Sequence, residues 1–313
     1  MDRVPGTVFK PTLPNFTKFS FLNACLFLLP AFPALHSVLY TKPHRHQCSN
    51  SCKRFLCTLH SFACAYERTE SIVSHPSIEL LTRFFSATFP QFGGSSEYDP
   101  FDVWNAILDY ALNAVHLTVA TRSLSNVIVD QQRNTLRNTF RGNLISSCRC
   151  SCGAIKSENH TMPELLIHKP LRRNDSLQDL VTRAVVETSR TERKKCTKCD
   201  AETVPTCSAK YTVAPAQTLL AVRIARSLDN ASHPCELSNI ETLTLPHPSP
   251  ATFRLTGGFL DHGDRPGQGP YASFRVTDHG TWLYTMSEKC FEVDLSTICT
   301  AVPYVTFYVR DTT

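Results

Sequence analysis

Five cysteines in two tight groups carry the most legible chemistry of this chain: Cys148, Cys150 and Cys152-Gly153, then Cys196 and Cys199. Zinc takes four soft or borderline ligands in a tetrahedron, and hairpin knuckles deliver thiolates in close pairs. Two such groups, separated by one supersecondary unit, are the signature of a zinc ribbon, in which closing the tetrahedron ties two distant loops together. A second group, His44, His46, Cys48, Cys52 and Cys57, offers ligands of the same kind at irregular spacing. It suits a second metal site, with His46, Cys48, Cys52 and Cys57 as candidate ligands, and equally a surface loop with free thiols. Cys64 stands in an apolar run and is expected to be a small buried hydrophobe. Fourteen cysteines grouped in this way read as metal binding in a reducing, intracellular compartment, not as a secreted disulfide framework.

The elements that must position these groups are readable from pattern. A length of 313 residues with 42% apolar content suits one large domain or two ordinary ones around a real core. The formal charge of +5 is scattered, with no like-charge run, low-complexity tract or repeat, so nucleic acid is not an expected partner. The apolar stretch Asn15 to Leu35 follows Lys10, but Asn23, Pro30 and Pro33 break it. A membrane span needs about 20 unbroken apolar residues, and no small-x-small cleavage pattern follows. A buried helix from about Phe21 to Leu29 is expected instead, opened by Ser20 and stopped by Pro30, which lacks a backbone donor. A second helix is expected from Pro76 to Phe89. The clearest helix follows Asp99, with Val103, Trp104, Ile107, Leu108, Ala111, Leu112 and Val115 on one face. Asp99 is a good N-cap there, Pro100 suits the first position, and Asp102 puts a carboxylate in the first turn. Ser176-Leu177-Gln178-Asp179 resembles a capping box before another amphipathic helix. From Thr212 the pattern turns to strands, ending in PYVTFYVR, which alternates by side.

Several of these stretches together resemble the ubiquitin-specific proteases. Asn15 falls on the family's oxyanion asparagine, five residues before the nucleophile, and Phe21, Leu22, Asn23 and Ala24 fall on the residues after it. The nucleophile position holds Ser20, and Thr17-Lys18-Phe19 replaces Gly-Asn-Thr. Asp99 and Asp102 fall on two acids of a helical motif which, in the family, grip the arginine-rich tail of ubiquitin. TFRGNLISSC resembles the strand that leads into the family's zinc fingers. The family has Cys-x-x-Cys at the first knuckle; here the pair is Cys152 with either Cys148 or Cys150. Some relatives carry a similar His/Cys cluster at the place of His46 to Cys57. APAQTLLAVRIARS and FRLTGGFLDHG resemble two palm strands. GQGPYASFRV then puts Pro270 where the catalytic histidine belongs, and Met286 stands where the triad's Asp or Asn belongs. The implied architecture is α+β, a papain-like fold over residues 13–310, with a thumb (13–140), zinc-ribbon fingers (141–213) and a palm (214–310). The implied cofactor is Zn2+.

Thiol proteolysis needs a thiolate, a base within hydrogen-bond reach and a third group that orients the base. Ser20, Pro270 and Met286 provide none of these: proline cannot carry a proton and a thioether cannot orient an imidazole. The resemblance therefore implies a pseudoenzyme that binds ubiquitin, a related modifier or the subunits of a protein complex, with no membrane partner. The alternatives are an active deubiquitinase using residues off the aligned positions, for which Cys25 with His262 is the available pair, and a scaffold in an RNA-processing or chromatin complex.

Overall fold

A computed structural model describes residues 20–32, 55, 57–59, 61–62, 76–93, 98–120, 138–167, 176–185, 188–191, 194–196, 198–199, 202–203, 206–225, 237–245, 250–263, 270–286, 289–301 and 303–311. Helix α1 (Ser20–Leu28) is buried along its whole length after Ser20. Its sequence is apolar on every side, so it packs as a central helix rather than a surface one. Pro30 cannot continue the helical ladder, and the chain leaves through a single 3-10 turn, Leu29–Ala31. Helices α2 (Pro76–Thr88) and α3 (Pro100–Ala120) lie near their expected bounds. The cap of α3 is as expected: the Phe101 N–H donates to Asp99 Oδ1 at 2.8 Å.

Strands β1 (Gly142–Arg149), β2 (Ile155–Met162) and β3 (Leu165–Ile167) come next. Helix α4 (Leu177–Val185) buries Leu177, Leu180, Val181 and Val185, and the Asp179 N–H donates to Ser176 Oγ at its start. Short strands follow: β4 (Thr188–Thr191), β5 (Lys194–Lys195), β6 (Glu202–Thr203) and β7 (Thr206–Thr212). The rest is mainly strand: β8 (Leu219–Ile224), β9 (Thr242–Leu245), β10 (Ala251–Asp261), β11 (Tyr271–Val276), β12 (Trp282–Met286), β13 (Lys289–Val293) and β14 (Val305–Arg310), with α5 (Leu295–Ala301) before the last.

Two sheets organise the chain. A four-stranded sheet in the order β2-β1-β7-β4 adjoins the β5-β6 ribbon in sequence, and an eight-stranded sheet runs β13-β12-β11-β10-β14-β8-β3 with β9 paired to β10. Because strand side chains alternate, the large sheet feeds two cores. Leu219 and Ala221 of β8 and Val305 and Phe307 of β14 join Phe21, Phe27, Phe32, Phe85 and Trp104 of the helical layer. Leu220, Val222 and Ile224 of β8 and Tyr308 of β14 join Leu177, Leu180 and Val181 of α4 and Ile298 of α5. Helix α1 reaches the sheet over bare backbone. A Cβ at Gly257 would stand 2.7 Å from Leu28 Cδ2 and 2.6 Å from the Phe274 carbonyl oxygen. No described helix is long and apolar enough to cross a membrane.

Candidate functional site

The first site is the cysteine cluster. After β1, the Cys150 N–H donates to the Ala154 carbonyl and the Gly153 N–H to the Cys150 carbonyl, folding a tight knuckle. Gly153 has φ +83°, a left-handed conformation that only glycine adopts without strain. The second knuckle lies between β5 and β6. Backbone N–H groups of Cys199, then Lys198, face the Cys196 sulfur and lower its pKa. The sulfurs of Cys150, Cys152, Cys196 and Cys199 all lie within 4.8 Å of one another. Cys150–Cys199 and Cys152–Cys196 are each 3.8 Å apart. Zinc–sulfur bonds of 2.3 Å in a tetrahedron require sulfur separations of about 3.8 Å, which these two pairs already have, so the four thiols could hold a metal ion. Cys148 does not join them. It is disulfide-bonded, and the β1–β7 register sets it opposite Cys207. Directly opposed strand residues are close enough for a disulfide, which a reading based on clustering alone did not anticipate. In the second His/Cys group, His46, Cys48 and Cys52 lie outside the described residues, and Cys57 is partly buried. Asn15 also lies outside them.

The second site is the end of the large sheet. Ser20 stands half-exposed at the first turn of α1, where a helix N-terminus favours an anion, yet no described residue hydrogen-bonds its hydroxyl. Pro270 precedes β11 and its carbonyl accepts from the His262 N–H at 3.0 Å across the hairpin. His262 therefore stands across the hairpin from the aligned position, and its imidazole is engaged by a phenol. His262 Nε2 and Tyr284 Oη are 2.6 Å apart, and the Tyr284 hydroxyl lies 3.8 Å from Met286 Sδ. Burial pushes the Tyr284 phenol up to about 12, so it stays neutral and orients the ring as a phenol, not as an anion. Cys25 is buried and donates its thiol to the Pro100 carbonyl at 3.1 Å. Burial, then the charge of Asp99, raises its pKa well above the ordinary thiol value. A Cys25–His262 dyad is absent: the thiol is committed to backbone and the imidazole to a phenol.

The third site lies between α3 and β8. Asp99 accepts from the Phe101 N–H, from the Tyr304 hydroxyl at 2.7 Å and from Arg223 Nη2 at 2.7 Å. Arg223 also lies 3.6 Å from Asp102 and 5.3 Å from the Phe101 ring centroid, a cation–π distance. Asp99 is thus consumed by its own fold, whereas the Asp102 side chain is 59% exposed. Burial, then the charge of Asp99, raises the Asp102 carboxyl, and Arg223 opposes them. Arg223 and Tyr304 were not among the expected site residues. The signal was there for Arg223, because a lone cation inside the apolar strand Leu-Leu-Ala-Val-Arg-Ile must find an acid.

These three sites lie on one continuous match. A sequence profile described as ubiquitin carboxyl-terminal hydrolase covers residues 12–308. The chain belongs to the ubiquitin carboxyl-terminal hydrolase family. A comparison with curated protein sequences finds no match, but solved structures of the same fold do match. A SAGA DUB module of Ubp8, Sgf11, Sus1 and Sgf73 bound to monoubiquitin has a TM-score of 0.68 at 14% identity, covering 97% of this chain and 69% of that one. The module bound to ubiquitin aldehyde gives 0.68 and 14%, covering 97% and 70%. A yeast SAGA DUB module gives 0.68 and 14%, covering 97% and 69%. The hydrolase fold therefore holds across nearly the whole chain, as the papain-like α+β expectation required, with the four-cysteine cluster inside it.

Proposed function

We propose that this member of the hydrolase family is a pseudoenzyme that binds ubiquitin or a related modifier and does not cleave it. The observation that carries the proposal is the state of the aligned triad. Ser20 has no hydrogen-bonding base among the described residues, Pro270 and Met286 cannot replace His and Asp, and the adjacent imidazole is held by Tyr284. Without a base, the serine alkoxide population at neutral pH is far too small to attack an amide. The binding half is supported by the fold and by an acidic helix end at the place where relatives grip ubiquitin's tail. In this chain Asp102 meets the incoming arginine, while Asp99 positions Arg223 and caps α3. The modifier lies between fingers (141–213) and palm (214–310), opposite the thumb (13–140). Cys150, Cys152, Cys196 and Cys199 hold Zn2+, which fixes the two knuckles of the fingers. Four thiols on a metal suit a reducing, intracellular setting, and the Cys148 disulfide is the exception to it. The related modules are complexes of Ubp8 with Sgf11, Sus1 and Sgf73, so a role as a subunit of a protein complex is the second reading.

The test is a pair of measurements on the full chain. Calorimetric titration with ubiquitin is expected to give saturable binding, and a ubiquitin–fluorophore substrate is expected to show no turnover. Ser20→Cys alone is expected to remain inactive, because it restores a thiol but no base. Turnover by the unaltered chain that is abolished by His262→Ala would sink the pseudoenzyme proposal, and lack of ubiquitin binding would leave only the complex-subunit role.

A further inference from the structure

One covalent bond sets the fingers apart from the rest of the chain. Eight described cysteines are thiols, four of them grouped for a metal, whereas Cys148 is disulfide-bonded. In the reducing setting proposed for this chain, disulfides are usually transient and redox-sensing. Backbone register points to the partner. Cys148 on β1 and Cys207 on β7 are directly opposed, and such residues have Cα atoms about 4.5–5.5 Å apart, within the span of a disulfide. Their place in the ladder is particular. Arg149↔Thr206 is the last β1–β7 pair at the end from which the knuckles grow, and Cys148↔Cys207 is the pair behind it. Cys150 and Cys152 follow Cys148, and Cys196 and Cys199 precede Cys207, so a bond between the two encloses all four candidate metal ligands. Cys148 is half-buried. The row across the sheet continues to Lys156 on β2, which pairs with Glu158 at 2.6 Å, and to Arg190 on β4. Cations at both ends of the row favour the approach of an anion.

We infer that Cys148 and Cys207 form a reversible thiol–disulfide exchange site, reduced by two equivalents of an anionic thiol, which governs how firmly the fingers hold their metal. One thiolate attacks the Cys148 sulfur, forming a mixed disulfide and releasing the Cys207 thiolate. A second attacks the outer sulfur of that mixed disulfide, releases the Cys148 thiolate and leaves as the oxidised thiol. Two electrons and two protons pass to the chain, and a disulfide oxidant reverses the step. Metal loss requires the two knuckles to part, which begins with fraying at Arg149↔Thr206. While the bond is closed, fraying stops at the next pair, and the knuckles meet again at high effective concentration. Once it opens, both strands separate further and the ligands part. The metal half rests on the Zn2+ reading of the four thiols; the exchange half does not.

The experiment equilibrates the full chain in glutathione buffers from oxidising to reducing, quenches it by alkylation and maps the cysteines by peptide mass spectrometry. Cys148 and Cys207 are expected as one linked peptide pair in oxidised glutathione, as two alkylated thiols in excess reduced glutathione, and linked again on return. Circular dichroism is expected to stay native throughout. Zinc transfer to a chromogenic chelator is then compared for the oxidised chain, the reduced chain freed of glutathione, and the Cys148→Ser, Cys207→Ser double variant, each loaded with Zn2+. Release is expected to be severalfold faster from the reduced chain and from the variant. Should the variant lose its native circular dichroism, the reduced parent decides the comparison. Linkage of Cys148 to another cysteine, or a bond that opens only in denaturant, overturns the inference. Equal zinc release from the loaded forms overturns it and leaves the Zn2+ reading standing. Failure of every form to take up zinc overturns both.

Discussion

Asp99 and Asp102 are three positions apart and share one arginine, yet their environments divide their roles. Asp99 accepts hydrogen bonds from a backbone amide, a phenol and a guanidinium. Replacing it by Ala removes an N-cap worth about 1 kcal/mol and leaves the Tyr304 hydroxyl and Arg223 without their acceptor, at about 1–3 kcal/mol more. Asp99→Ala is therefore expected to lower stability by roughly 2–4 kcal/mol in denaturant unfolding. Asp102→Ala is expected to change stability by less than about 1 kcal/mol, because its pair with Arg223 is long and exposed. Its effect should appear in ubiquitin affinity instead. The opposite ranking would mean that Asp102 is the structural acid. Arg223 explains the division: one cation cannot satisfy both carboxylates equally at 2.7 and 3.6 Å.

At the level of elements, α1 depends on how closely it can approach the sheet. β10 carries Gly257-Gly258 at a register irregularity between Leu255 and Gly257. A Cβ at Gly258 would run into the Val305 carbonyl oxygen and stand 2.7 Å from the Phe274 ring. Backbone on β14 cannot move aside without disturbing its pairing with both β10 and β8. Gly258→Ala is expected to cost on the order of 1–3 kcal/mol, the range for overpacking, read as a lower melting temperature. An unchanged melting temperature would show that the sheet yields at this point. The knuckles illustrate a different rule. Their ligands come from two turns rather than from strands, so four sulfurs converge within 4.8 Å while β1 and β7 continue their pairing.

For the molecule as a whole, tyrosine burial sets an alkaline limit on stability. Tyr211 and Tyr284 are each raised to about 12 by burial, with the Gln217 hydrogen bond at Tyr211 acting the other way. Burial raises Tyr304 and Tyr308 as well. A folded pKa above the unfolded value means that the native state holds the proton more tightly. The contribution is fully present below the ordinary value of 10 and is lost as pH rises from there through about 12. For two residues each shifted by about two pH units, the loss is on the order of 2–3 kcal/mol apiece. The tyrosine contribution to the unfolding free energy is therefore expected to be flat up to about pH 10 and to fall steeply above it, in step with tyrosinate absorbance. A native chain whose tyrosines all ionise near pH 10 would contradict this burial.

Much of the fold could be read in advance because local rules govern it. The cap and apolar face of α3, the stop at Pro30, the alternation of β14 and the two cysteine groups depend only on residues near one another in sequence. The choice of Cys150 over Cys148 could not be read that way, because both spacings close a knuckle and only the β1–β7 pairing removes Cys148 to a disulfide. Nor could the pairing of Asp99 with Arg223, 124 residues away, or the binding of His262 by Tyr284. The amino-acid sequence by itself determined which groups stand at the positions that resemble the family's triad, since Ser20, Pro270 and Met286 are what they are in any conformation. Only the tertiary structure decided which charged groups are already satisfied and which, like the Glu164 Oε2, are buried with no donor among the described residues. Electrostatic partners are set by distance through space, and no spacing along the chain encodes it.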